Sequence, residues 1–351
     1  MTQRNLTISG GGRKLTSEEH EQKVIEQFIH LRAENKAVSA TRLIEIGQHF
    51  AQQLEVPLEC TKGWLRRFLD RNFLKLRAVT SKISHDPIEL AYRATEFIKY
   101  VRHIIIVKNI TPGGIWNCAE TAIFCEPNES RTIDFIDQKI VVVKSAGLAK
   151  VRLTGIVMAN ALGVKKTPVI IAQGSGNTTN REEGCFILKR ESSGMNGDLF
   201  IKYLQLMFPL TSKAAASRML LIFDSAPAHR SKKVKAYLKE RGFNYVLIPG
   251  GLTGLLQPAD VSWFKPMKAT IRNCIEEWLK TAPVTTSNRV RAPLANDMAK
   301  WMKESLDKLK SEVISKSFQA SFLGPSQTLL ISRHPSIRPH LDINSFDALL
   351  P

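Results

Sequence analysis

The chain has 351 residues, of which 43 % are apolar, enough for one large hydrophobic core and a smaller domain. Lys and Arg number 50 against 32 Asp and Glu, giving a formal net charge of +18 that favours a polyanionic partner. Nucleic acid is the first candidate and an anionic membrane surface the second; a basic protein without a specific polyanion is the alternative.

The apolar segments and the cysteines further limit the class of protein. No stretch reaches the roughly 18 apolar residues that span a bilayer, and the N-terminus lacks the apolar segment of a secretory signal, so we expect no membrane partner. The five cysteines form no CxxC pair. Their odd number argues against a disulfide framework and a zinc site and is typical of a reducing compartment.

Three helices are predicted after a polar, flexible leader, residues 1–14. The first begins at Ser17, a serine N-cap ahead of acidic residues, and the second begins near Ser39. The third covers residues 61–72 and is both basic and amphipathic. This pattern predicts a small all-α helix-turn-helix domain over residues 15–78.

The third predicted helix is the candidate DNA-binding surface. Trp64, Phe68 and Leu69 form its apolar face, and the basic face can meet a phosphate backbone or a groove. The alternative is that these cations only solvate an exposed helix face. The candidate DNA-binding residues are Lys62, Arg66, Arg67 and Arg71.

Residues 79–112 read as a basic linker followed by a helix that begins near Pro87, and residues 113–320 as a mixed α/β sheet flanked by helices. Residues 321–351 form a predicted C-terminal tail, either a docking segment or an unstructured end. The predicted strands are 114–119, 121–125, 139–145, 151–159, 167–173, an apolar run that ends at Asp224, and NYVLIP. A loop covers residues 175–184, SGNTTNREEG, and helices are predicted near 197–208, 231–241, 260–279 and 290–309.

Two acidic residues stand out in the predicted sheet domain. Asp224 ends a buried strand, where carboxylates reach the ligand-binding edge of α/β sheets. Asp260 precedes a helix and has an alternative role as a helix cap. Together they resemble two thirds of a site that holds divalent metal ions through oxygen ligands.

Several motifs carry a family resemblance over roughly residues 13–320. The stretches DSAPAH, GLTGLLQPAD and FKPMKATIR resemble the DDE superfamily endonuclease domain of pogo-like transposases in the Tc1/mariner group. TKGWLRRFLDRNFLKLR is similar to the end of a centromere-protein-B-type helix-turn-helix. The resemblance implies an RNase H-like fold, Mg²⁺-dependent DNA cleavage and joining, DNA as partner and a location in the nucleus. A homodimer is a further expectation.

The resemblance also assigns the catalytic acids and shows one to be missing. Asp224 matches the second acid, Asp260 the third, and His229 the histidine of a Pro-Ala-His turn. The first acid lies in an Asn-x-Asp-Glu-Thr motif, where this sequence has Ala119 followed by Glu120. Because neighbouring side chains of a strand point to opposite faces, we expect Glu120 to face away from the metal side.

The missing acid leaves several hypotheses. The first is a transposase-derived DNA-binding protein with catalysis lost, since losing one ligand of such a unit costs orders of magnitude in rate. The second is an active Mg²⁺-dependent transposase or endonuclease using Asp224, Asp260 and an unidentified third ligand. A third hypothesis is that Ala119 was introduced by substitution into an active transposase. A fourth is that the domain is a non-enzymatic scaffold that serves only dimerisation. Only one helix-turn-helix unit is present where the family usually has two in tandem, which weakens the expectation of tight sequence-specific binding.

Overall fold

The computed structural model describes residues 16–34, 36–77, 86–126, 147–148, 151–174, 179–182, 184–190, 194–285 and 290–348. The predicted leader 1–14 and the predicted strand 139–145 lie outside these residues. The chain divides into two compact units, Met1–Lys82 and Ile83–Pro351.

The first unit contains the three predicted helices: α1 (Glu18–Ala33), α2 (Ala40–Gln53) and α3 (Lys62–Arg71). The predicted starts are confirmed, because the side chains of Ser17, Ser39 and Thr61 each accept a hydrogen bond from a backbone N–H of the first helical turn. The helices enclose a small apolar core of Val24, Leu43, Ile46, Cys60, Trp64, Leu65 and Phe68.

Helices α2 and α3 meet at Gly47. A Cβ atom added there would lie 2.4 Å from the Trp64 ring and 2.9 Å from the Cys60 sulfur. The Gly47 carbonyl lies 2.7 Å from His20 Nε2, which joins α1 to the same point. Glycine at this position therefore allows the backbone of α2 to approach the apolar face of α3.

The second unit is built on one seven-stranded mixed sheet with the order β4-β5-β3-β2-β1-β6-β7. Strands β1/β2, β2/β3 and β4/β5 pair antiparallel, and β3/β5, β1/β6 and β6/β7 pair parallel. The strands are β1 (Ile115–Phe124), β2 (Arg152–Asn160), β3 (Val169–Gln173), β4 (Thr179–Glu182), β5 (Cys185–Arg190), β6 (Leu220–Asp224) and β7 (Asn244–Ile248). This is the mixed α/β sheet flanked by helices that the sequence predicts.

The strand predictions were wrong in two places. The predicted strands 114–119 and 121–125 are one strand, because Glu120 pairs with Ile156 and the ladder to β2 continues without a break. The predicted loop 175–184 contains β4, which pairs with β5, and the sequence analysis missed both strands. A polar edge strand such as β4 lacks the apolar alternation on which strand prediction depends.

Helices cover both faces of the sheet. One face packs against α4 (Pro87–Val107), α10 (Phe264–Leu279), α11 (Ala295–Lys308) and α12 (Ser311–Phe318). The other packs against α5 (Gly197–Met207) and α8 (Lys232–Arg241). The helix that the sequence analysis placed in a linker region, α4, is thus a core helix of the second unit. The short helices are α6 (Lys213–Ala216), α7 (Pro227–Arg230), α9 (Thr253–Leu256) and α13 (Asn344–Asp347).

The predicted C-terminal tail is packed against this core through residue 346. Phe322, Phe346 and several aliphatic side chains between them are buried in the cluster that includes α4. The fully buried guanidinium of Arg102 on α4 donates hydrogen bonds to the backbone carbonyls of Phe322, Gly324 and Phe346. The expectation of a docking segment or an unstructured end was wrong, because the scattered Leu, Ile and Phe residues supply core contacts.

None of the described helices combines the length and apolar character that a membrane span requires.

Candidate active site at the edge of the sheet

Asp224 is the last residue of β6 and lies at the sheet edge. Its Oδ1 accepts a hydrogen bond of 3.0 Å from the Ala226 N–H, within the turn that leads to α7. The same oxygen lies 2.8 Å from Nδ1 of His229. The strand end, the turn and the short helix therefore place an imidazole directly beside this carboxylate.

His229 links Asp224 to a second carboxylate. Its Nε2 lies 3.2 Å from Oε1 of Glu120 on β1. The ring is buried between Phe200 and Phe223, with ring centroids at 4.2 and 5.1 Å. The result is a row of three groups, carboxylate, imidazole and carboxylate, closed on one side by aromatic rings.

The ionisation of this row follows from burial and pairing. Burial alone lowers the pKa of His229, but the hydrogen bonds to Asp224 and Glu120 outweigh it and raise the pKa to about 9. Burial alone raises the pKa of Asp224, and the contacts with His229 and the Ala226 N–H outweigh it and lower the pKa. At neutral pH, His229 is therefore an imidazolium between carboxylates.

Asp260 lies in a π-helical turn, Ala259–Trp263, that precedes α10. Its Oδ2 accepts a hydrogen bond of 2.7 Å from the side chain of buried Gln257. Part of the residue reaches solvent, yet burial of its carboxyl, together with the negative charge of Asp224, raises the pKa of Asp260 to about 6. The negative charge of Asp224 thus adds to the effect of burial on the pKa of Asp260.

Asn117, which the sequence analysis used only as a motif residue, connects the three segments of the site. Its side-chain amide donates to the Ile222 carbonyl on β6 at 2.9 Å, and its side-chain oxygen accepts from the Ala259 N–H at 3.2 Å. The buried amide therefore fixes the turn that carries Asp260 against β1 and β6.

Ala119 and Glu120 lie on opposite faces of β1. Ala119 is 2 % exposed and packs with Val157 in the core on the α4 side. Asn117 pairs with Ile222 in the parallel ladder, and the same register continued by two residues places Ala119 beside Asp224. The predicted alternation is confirmed, but Glu120 still reaches the edge of the sheet, where it contacts His229 rather than pointing away from the site.

The residues present do not fit a site for two divalent ions. Among the described residues, no three His, Cys, Asp or Glu side chains are arranged to hold a metal ion. The methyl group of Ala119 offers no ligand, and an imidazolium separates Glu120 from Asp224. Hard cations such as Mg²⁺ require several oxygen ligands, and of the three acid positions in the family motif the described residues supply Asp224 and Asp260.

Sequence reasoning missed the role of Glu120 because its partner is 109 positions away along the chain. The sequence does show that His229 follows Asp224 closely, through the Pro-Ala-His turn. The contact between Nε2 of His229 and Glu120 depends on how β1 and β6 pair, and the sequence does not reveal this pairing.

The four candidate DNA-binding residues on α3 fall into two groups. Lys62, Arg66 and Arg67 are exposed, and no ion pair of theirs occurs among the described residues. Arg71 instead makes a two-pronged ion pair with Glu21 of α1, at 2.8 and 2.6 Å. The Arg71 guanidinium therefore joins α3 to α1.

Known proteins resemble this chain in sequence and in fold. Residues 150–318 match the family model described as DDE superfamily endonuclease. This match includes Asp224 and Asp260 and begins after the strand that carries Ala119. Two transposase structures share the fold: the Mos1 transposase paired-end complex with left transposon end and the Mos1 strand transfer complex. Each has a TM-score of 0.54 and 15 % identity; they cover 95 % and 94 % of this chain and 81 % and 80 % of their own chains.

The proteins that resemble this chain in sequence are pogo transposable element proteins. The chain is 25 % identical over 307 residues to "Pogo transposable element with KRAB domain" of Homo sapiens, and equally to the protein of the same name of Mus musculus. The alignments cover 85 % of this chain but only 50 % of each relative, so the chain spans about half the length of these proteins. The chain is thus similar in sequence to pogo transposable element proteins and similar in fold to the two Mos1 transposase structures.

Proposed function

We propose that the chain is a transposase-derived, DNA-binding protein of the nucleus whose DDE site no longer supports two-metal-ion cleavage of DNA. The observation that carries the proposal is Ala119, a buried methyl group at the position beside Asp224 where the related motif has its first acid. Two-metal-ion catalysis needs ligands that hold both ions while the attacking and leaving oxygens are stabilised.

The arrangement of Glu120 supports the same proposal. For Glu120 to replace the missing acid, its carboxylate would have to leave the imidazolium of His229 and cross to the other face of β1. Losing one ligand of a catalytic unit lowers the rate by several orders of magnitude, so we expect no measurable strand transfer.

The second candidate function is an active Mg²⁺-dependent transposase or endonuclease that uses Asp224, Asp260 and a third ligand. Its support is the effect of the negative charge of Asp224 on Asp260, which a cation would relieve. Two carboxylates can hold one Mg²⁺ weakly, because this ion keeps several of its waters.

The DNA-binding part of the proposal rests on charge. The chain carries a net charge of +18, and α3 presents three exposed cations beside a buried apolar face. We assign the phosphate contacts to Lys62, Arg66 and Arg67, and to Arg71 a role in holding α3 on α1. The three-helix unit would act as a centromere-protein-B-type helix-turn-helix, in a protein that works as a homodimer.

Changing Arg66 and Arg67 together to alanine tests this assignment. We expect the affinity for a mixed-sequence duplex to fall and the slope of log K against log salt concentration to flatten by about one to two units, because two phosphate contacts are lost. Fluorescence anisotropy across a salt series measures both quantities. Arg32→Ala, an exposed cation on α1, is the matched control and should leave the slope unchanged. An unchanged slope in the double variant would exclude α3 as the contact surface.

A further inference from the structure

Helix α3 is followed by an aromatic residue that the core of the first unit does not use. Phe73 lies two residues beyond the end of the helix and is 97 % exposed, whereas its neighbour Leu74 packs on the apolar core. An apolar side chain stabilises a fold through the surface that it removes from water. Phe73 removes almost none, so burial does not account for its place in the structure.

The backbone of Phe73 has an unfavourable conformation. Its φ is +53°, in the left-handed region that glycine adopts readily and bulky residues avoid. Two hydrogen bonds fix this helix end: the Phe73 N–H donates to the Asp70 carbonyl, and the Leu74 N–H donates to the Leu69 carbonyl. Glycine usually occupies the left-handed position of such a helix end, as Gly242 does after α8. Phenylalanine at this position therefore weakens the helix end and gains nothing by packing.

The surroundings of Phe73 are strongly basic. Residues 62–77 contain six basic residues and one acidic residue, a formal charge of +5. Lys75 and Arg77 are exposed, have no ion pair among the described residues, and stand on either side of Leu76, which is 70 % exposed. Backbone strain concentrates at functional sites. An exposed aromatic ring among cations fits nucleic acid, because phosphates attract the cations and base pairs accept an apolar ring between them.

We propose that Phe73 intercalates into duplex DNA: its ring inserts between two base pairs from the minor groove, while Lys75 and Arg77 contact the neighbouring phosphates. In helix-turn-helix proteins the N-terminal part of the recognition helix meets the base edges, so the other end of α3 brings Phe73 towards the adjacent backbone and groove. A side chain inserted in this way unstacks one base step and bends the duplex. The proposal rests on the DNA binding proposed above and adds to it a contact that does not depend on charge.

Replacing Phe73 with glycine separates a DNA contact from a structural role. Because glycine adopts a φ of +53° without strain, we expect Phe73→Gly to slow amide hydrogen exchange in α3 of the full chain by about threefold or more. The same change should weaken binding to a mixed-sequence duplex by about tenfold or more, because the stacking contact is lost. Phe73→Trp should bind within about threefold of the original chain, since its ring also stacks. Faster exchange in Phe73→Gly would identify a packing residue and contradict the proposal.

Salt dependence identifies the kind of contact. An inserted ring releases no counterions, so Phe73→Ala should lower the affinity and leave the slope of log K against log salt concentration within about 0.5 of the original. Lys75→Ala with Arg77→Ala should instead flatten the slope by about one to two units, because phosphate contacts are lost. Ile29→Ala, an exposed apolar residue on α1, is the matched control and should change neither the affinity nor the slope.

Bending of the duplex tests the insertion itself. Energy transfer between dyes at the two ends of a duplex of about 25 base pairs should rise when the original chain binds, because the kinked duplex is shorter from end to end. At saturating concentration, Phe73→Ala should give no such rise. Equal energy transfer with the original chain and Phe73→Ala would overturn the proposal.

The binding measurements also separate this proposal from the proposed function. Unchanged affinity in Phe73→Ala, with weaker binding in the Arg66 and Arg67 double variant, would refute the inserted ring and leave DNA binding by α3 intact. No salt-dependent binding by the original chain would refute the proposed function together with this contact. If Phe73→Ala lowers binding to phosphatidylserine vesicles but not to DNA, the residue belongs to a membrane-binding surface and the proposal fails.

Discussion

Replacing His229 with alanine is expected to lower the free energy of unfolding of the second unit by about 3 kcal/mol, the lower end of the cost of breaking a buried ion pair. Without the imidazolium, Glu120 and Asp224 face each other across a cavity lined by Phe200 and Phe223. The cost lies at the lower end because the two carboxylate side chains keep 22 % and 32 % of their exposure and are partly screened by water. Denaturant unfolding followed by tryptophan fluorescence measures the change.

The control for this variant is His340→Ala, an exposed histidine of the same unit, which should change stability by less than about 0.5 kcal/mol. Combining His229→Ala with Glu120→Gln should cost less than the sum of the two single changes, because the repelling carboxylate is then absent. Strict additivity would show that the three groups do not act as a unit.

The His229 contribution should depend on pH with a definite sign. The pKa of His229 is raised from 6.5 to about 9, so the stabilisation is fully present below about pH 6.5 and is lost as pH rises through 9. The stability difference between the original chain and His229→Ala should therefore shrink between pH 7 and pH 10. A difference that grows over this range would contradict the assigned imidazolium.

Arg102→Ala is expected to release the C-terminal segment from the core, at a cost of about 4 kcal/mol. The change removes three hydrogen bonds from a charged donor. The carbonyls of Phe322 and Gly324 lose this donor, whereas the carbonyl of Phe346 keeps its hydrogen bond from the Ala348 N–H. The substitution also leaves a cavity at a position that is fully buried. Limited trypsin digestion should then cut after Arg333 at a much lower enzyme concentration than in the original chain.

Arg93→Ala is the matched control, since Arg93 lies on the same helix and its ion pair with Glu89 is partly exposed at 3.6 Å. A surface pair of this kind contributes about 0–1 kcal/mol, so digestion should be unchanged. Equal protection of the C-terminal segment in Arg102→Ala and the original chain would show that Arg102 does not hold it.

The helices of the first unit and the buried strands of the second could be predicted because their signals are local. Ser17 and Ser39 cap helices whose apolar positions recur at helical spacing, and the run ending at Asp224 is apolar enough to be a buried strand. The strand β4 and the packing of residues 321–346 gave no such signal. The strand β4 is polar and is defined by its pairing with the neighbouring strand β5, whereas the C-terminal segment is held by Arg102, which lies more than 200 positions earlier in the chain.

In the candidate site, too, some features could be predicted from the sequence and others depend on contacts within the fold. Asp224 and Asp260 could be singled out because one ends a buried strand and the other precedes a helix, and the family resemblance implies that Ala119 replaces the first acid. The contact of Glu120 with His229 depends on the pairing of β1 with β6, and the fixation of the Asp260 turn depends on Asn117. The alternation of side chains along a strand predicted the correct face of β1 for Glu120. It did not show that the Glu120 side chain extends to His229, which also contacts Asp224 at the end of β6.

Metal-dependent nicking of supercoiled plasmid DNA by the full chain tests the central proposal most directly. With Mg²⁺ or Mn²⁺, we expect the chain to leave the plasmid intact, and Ala119→Asp to gain nicking activity that is lost again when Asp224→Ala is added. Robust nicking by the original chain, abolished by Asp224→Ala, would contradict the loss of catalysis and favour the two-carboxylate enzyme.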